Sequence, residues 1–129
     1  MYGKNYPLLP ILRNPEHGIE AWGLQTETEN LKVPNTYYWS VGYNGTHFGH
    51  EFCDLFISMN YNPYIPDTLL ERAAVSTSNV LKEGGYAFLV DPGKWSWELE
   101  KHLTPRPDLV REIKRYSMFT DQNVRVLQK

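Results

Sequence analysis

A chain of 129 residues, 41% apolar and 22% charged, is long enough to bury a core without a metal or disulfide and too apolar for disorder. A net charge of −2 argues against a cationic nucleic-acid binder, and no apolar run approaches the ~18 residues of a membrane span. The single cysteine forbids an internal disulfide and no secretory leader pattern is present, so the expected setting is one domain over 1–129 in a reducing cytoplasm.

Residues 1–15 are broken by Pro7, Pro10 and Pro15 and predict an extended arm lying on the core through Leu8, Leu9, Ile11 and Leu12. Pro7 and Pro10 also make a PxxP pattern, which a polyproline ligand would show. Residues 19–24 alternate and predict a short strand, and the acidic stretch 25–30 reads as a solvated loop.

Residues 37–43 are rich in strand formers and are followed by Asn44-Gly45, the pair a type I′ hairpin turn prefers because both central residues take positive φ. A two-residue hairpin would pair Tyr43 with Thr46, Val41 with Phe48, Trp39 with His50 and Tyr37 with Phe52. Its second face would set Tyr38 opposite Glu51. Beyond Gly49 the residues Phe52, Leu55, Phe56 and Met59 also fit helical spacing. The hairpin register favours a strand continuing to about Ile57.

The loop 60–66 carries Tyr61, Tyr64 and Ile65 on a backbone stiffened by Pro63 and Pro66. Asp67 then predicts the cap of a helix over 67–83, ended by Gly84-Gly85, with Leu70, Ala73, Ala74, Thr77, Val80 and Leu81 as its buried stripe. The run 86–91 reads as a buried central strand and Asp91-Pro92-Gly93 as a turn. Ser96 predicts the cap of a short helix over 97–103. Pro107 suits the first turn of a helix over 108–119, whose early acids and late bases follow the helix dipole, and 124–127 predicts a last strand. These elements sum to an α+β fold: one mostly antiparallel sheet of four or five strands with two or three helices on one face.

Between Thr46 and Asp54 lie two of the four histidines, the only cysteine and two acids. His47, His50 and Glu51 are therefore the candidate catalytic groups. The same residues are zinc-ligand types, but on a strand His47 and Cys53 point one way and His50 the other, and no paired Cys-x-x-Cys or His-Glu-x-x-His is present. Cys53 as a nucleophile served by His47 fails on distance, since six residues of strand span roughly 20 Å. His102-Leu103-Thr104 is a lone His-x-Thr, and no phosphate loop or nucleophile elbow occurs. No metal and no cofactor is expected.

Aromatic residues reach 14%, with nine Tyr and four Trp, the residue types that concentrate in binding hot spots. Without a catalytic motif, the sequence favours a protein-binding module: an inhibitor, adaptor or assembly factor. Its partner would be another protein, met through Tyr61, Tyr64, Ile65 and Tyr38. The alternative is a small enzyme or small-ligand binder using the 47–54 segment. Elemental analysis of the purified protein should find no stoichiometric zinc, and a chelator should leave the melting temperature unchanged. A metal to protein ratio near one that is lost in His47→Ala overturns this.

Overall fold

The structure is a computed structural model that describes residues 16, 18, 19, 23–25, 36–38, 50–59, 66–116 and 123–129. The chain divides into two compact units, Met1–Gly42 and Tyr43–Lys129. In the first, β1 (Gly23–Gln25) pairs in parallel with β2 (Thr36–Tyr38), setting Leu24 against Tyr37 and Gln25 against Tyr38. Gly23 and Leu24, the end of the 19–24 alternation, thus lie in a strand, which continues to Gln25. The N-terminal arm, the Asn44-Gly45 turn and the aromatic loop 61–65 lie outside the described residues.

The second unit holds a four-stranded sheet in the order β3 (Cys53–Met59), β4 (Leu81–Val90), β6 (Val124–Gln128), β5 (Thr104–Pro105). Strand β3 runs parallel to β4, while β4–β6 and β5–β6 are antiparallel. The sheet is therefore mixed rather than mostly antiparallel. The physical reason is the connection: the chain returns from β3 to β4 through a helix, and such a crossover delivers the next strand in the same direction. The strand expected to continue to about Ile57 is present as β3, which runs to Met59 and pairs with β4. The amides of Glu51 and Phe52, just before β3, donate to the carbonyls of Asn79 and Val80 at 2.8 Å each.

Helix α1 (Leu70–Val80) follows a 3-10 turn at Asp67–Leu69 that starts on Pro66, with no side-chain cap from Asp67. The predicted stripe is right, since Leu70, Ala73, Ala74, Thr77 and Val80 are all buried. The predicted end is not. The helix stops at Val80, and Leu81, fully buried, already pairs with Cys53. Helix passes into strand with no loop, and Gly84-Gly85 lies inside β4 instead of ending the helix. Tertiary pairing overrides the local spacing here.

The diglycine has a different use. Between the pairs Cys53–Leu81 and Leu55–Tyr86 the ladder shifts register, so residues 82–85 bulge from β4 opposite Asp54 alone. Gly84 sits at φ 80°, and a Cβ on Gly85 would lie 2.9 Å from the Lys82 carbonyl oxygen and 3.0 Å from that of Asp54. The bulge is stitched to the end of the chain. The Gly84 amide donates to the Lys129 carbonyl at 3.0 Å, and the Lys129 amide donates to that of Gly85 at 2.9 Å. The Gln128 side-chain amide donates to the Gly84 carbonyl at 3.1 Å. Lys129 Nζ donates to the carbonyls of Ser78 and Leu81 at 2.8 and 2.9 Å, placing a cation at the C-terminal end of α1, where the Ser78 carbonyl also accepts the Leu81 amide.

Helix α2 (Lys94–Leu99) packs against α1. It begins three residues before the predicted start, on Gly93, so Ser96 is an internal residue and not the cap. Its hydroxyl donates to the Gly93 carbonyl at 2.8 Å and accepts from Arg125 Nη1 at 2.7 Å. Arg125 also pairs with Glu100. Trp95, fully buried, meets the Phe56 ring edge-on with centroids 6.0 Å apart. The turn before α2 holds Asp91 at φ 49°, and its carboxylate accepts the Asn123 amide at 3.0 Å, tying the start of β6 to the end of β4.

Pro105 ends the two-residue β5, where a residue without an N–H is tolerated on a sheet edge. Pro107 opens α3 (Pro107–Tyr116), as predicted, and α3 packs on β6. Leu109, Val110, Ile113 and Lys114 are half-buried, with Asp108 in the first turn and Lys114 and Arg115 in the last. The Arg106 guanidinium grips Asp108 with two bonds, 3.0 and 2.8 Å, and reaches Gln128 of β6. The hydrogen bonds from Arg106 hold the Asp108 carboxyl down to about 2.

Gly85→Ala should destabilise the protein by roughly 1–3 kcal/mol in chemical denaturation, because backbone rather than flexible side chain must yield. Gly84→Ala meets no atom and should cost only about 1 kcal/mol, from its positive φ. Equal effects at the two positions would show that the approach of β3 to Gly85 is not the constraint.

Candidate interaction surface

Residues opposite one another in a ladder project from one face, so the register sorts the sheet into two sides. One side carries Phe56 and Ser58 of β3, Ala87 and Leu89 of β4, and Leu127 and Arg125 of β6. Ala87, Leu89 and Leu127 are fully buried there, and α2 lies on this side through Trp95 and Ser96. The other side carries Leu55 and Ile57 of β3, Tyr86, Phe88 and Val90 of β4, and Gln128, Val126 and Val124 of β6.

Burial on this second side is graded. Val90, Val124 and Val126 are buried. Toward β3 the cover thins: Ile57, Tyr86 and Phe88 are half-buried, and Leu55 is 52% exposed. Leu55 pairs with Tyr86 and Ile57 with Phe88, so the four side chains form one apolar strip across two adjacent strands. Phe52, just before β3, is also exposed. The aromatics at 86 and 88 share their side with branched aliphatics and present a large, rigid apolar area with a hydroxyl at Tyr86. That composition suits the buried centre of a protein interface.

The residues singled out from the sequence fare unevenly. His47, Tyr61, Tyr64 and Ile65 lie outside the described residues. Tyr38 is in β2, where its backbone pairs with Gln25. His50 and Glu51 are both exposed, and Glu51 sits at φ 52°, its amide committed to Asn79. Among the described residues no three His, Cys, Asp or Glu side chains gather as metal ligands would. His102 is exposed three residues past the end of α2, and its amide donates to the Leu99 carbonyl at 3.0 Å.

The strip itself escaped the sequence reading. The 86–90 run looks uniformly apolar, and only its large-small alternation, Tyr86 and Phe88 against Ala87 and Leu89, hints that its two sides differ. Trp97 escaped as well: it is 65% exposed although Trp95, two residues earlier, is fully buried.

Cys53 is half-buried beside the strip. Burial, and then the neighbouring Asp54 carboxylate, push its thiol up to about 11, against a smaller opposing pull from Lys82. Asp54 and Lys82 are 3.6 Å apart and largely solvated, so their pairing adds little stability. A thiol held neutral is a poor nucleophile. The raised value means that any stability the neutral thiol confers is present below the ordinary 9.0 and is lost as pH rises from there toward 11. Iodoacetamide should label Cys53 slowly in the native protein through pH 9 and faster only toward pH 11. Asp54→Asn should move that profile to lower pH. Rapid labelling at pH 8 would overturn this assignment.

No protein-family model matches the chain, and no curated protein matches its sequence.

Proposed function

We propose that the chain is a small protein-binding module that engages another protein through the apolar strip formed by Leu55, Ile57, Tyr86 and Phe88. The observation that carries the reading is Leu55, half exposed on a strand whose cross-strand neighbours on that side are aromatic and only partly covered. A partner that covers these side chains removes apolar surface from water at about 25 cal/mol per Å². Side chains already ordered in a sheet lose little entropy on docking.

Tyr61, Tyr64 and Ile65 are proposed as further partner contacts on residue type, with Pro63 and Pro66 lowering the cost of ordering that stretch on docking. Tyr38, in the first unit, is proposed separately as a partner contact, on its residue type alone. An inhibitor, adaptor or assembly factor is the class of module this composition suits. The net charge of −2 supports a protein over a nucleic acid as the partner, and the lone cysteine supports a reducing cytoplasm as its setting. Among the described residues no helix is long and apolar enough to cross a membrane.

The test compares wild type with Leu55→Lys, Tyr61→Ala and Tyr64→Ala in cross-linking and affinity capture from host lysate. Melting temperatures are recorded beside each capture. Proteins captured by wild type should be lost from Leu55→Lys while its stability stays within about 0.5 kcal/mol, as for an exposed site. Each tyrosine variant should weaken the captured complex by roughly 1–3 kcal/mol with little change in melting. Unchanged capture by Leu55→Lys would overturn the strip as the interface. Loss of stability in step with loss of binding in the tyrosine variants would place that loop in the core.

A further inference from the structure

We draw no further inference here: the strongest candidate, the exposed indole of Trp97 on α2, is an apolar surface patch for which nothing among the described residues shows what covers it.

Discussion

The close approach of β3 to Gly85 is the contact on which the second unit depends. The Asp54 carbonyl lies where a side chain at position 85 would begin, so β3 seats against β4 only because that residue has none. The bulge it permits absorbs the residues between Leu81 and Tyr86. Without it, Leu81 at the foot of α1 and Tyr86 in the central strand could not both pair with β3. The helix-to-strand junction, the parallel register and the alternation of the two sheet sides all follow from that one accommodation.

The bulge would be an exposed liability if left alone, because residues 82–84 are solvated and a bulge interrupts the ladder. The last two residues of the chain close it. Gln128 and Lys129 bond to Gly84 and Gly85 by backbone and side chain, and the Lys129 ammonium takes carbonyls from the last turn of α1 and from Leu81. A cation at a helix C-terminus is favoured by the dipole as well as by these bonds. Two arginines extend the same stitching. Arg125 ties β6 to α2 through Ser96 and Glu100, and Arg106 ties β6 to the start of α3 through Gln128 and Asp108. Strand β6 is therefore tied to α2 and to the start of α3 by charge-assisted bonds at Arg125 and Gln128, and its Val124, Val126 and Leu127 are buried.

This arrangement makes the two sides of the sheet unequal. On the side bearing Ala87 and Leu89, Trp95 packs edge-on against Phe56, and its full burial is worth several kcal/mol by the usual cost of truncating a core tryptophan, about 3–5. The side bearing Tyr86 and Phe88 is large and aromatic and is finished only where β6 lies. The apolar surface near β3 is thus set by the same register that builds the core.

Several elements are legible from local pattern. The stripe Leu70, Ala73, Ala74, Thr77 and Val80 announces α1, Pro107 with its flanking charges announces α3, and the apolar runs before Asp91 and after Asn123 announce β4 and β6. Each of these signals lies within a few residues of chain. What the sequence left undecided concerns partners far apart along it. Spacing could not stop α1 at Val80, because the strand pairing of Leu81 with Cys53 competes with the helix only once both are in place. Nor could it make Ser96 an internal residue, since its bond to Arg125 spans 29 positions. The candidate site divides the same way. Residue chemistry directs attention to His50 and Glu51, yet the structure leaves both exposed at the outset of β3. The strip of Leu55, Ile57, Tyr86 and Phe88 exists only because register places two separate alternations on one side of a sheet, and register is a property of paired strands that neither strand carries alone.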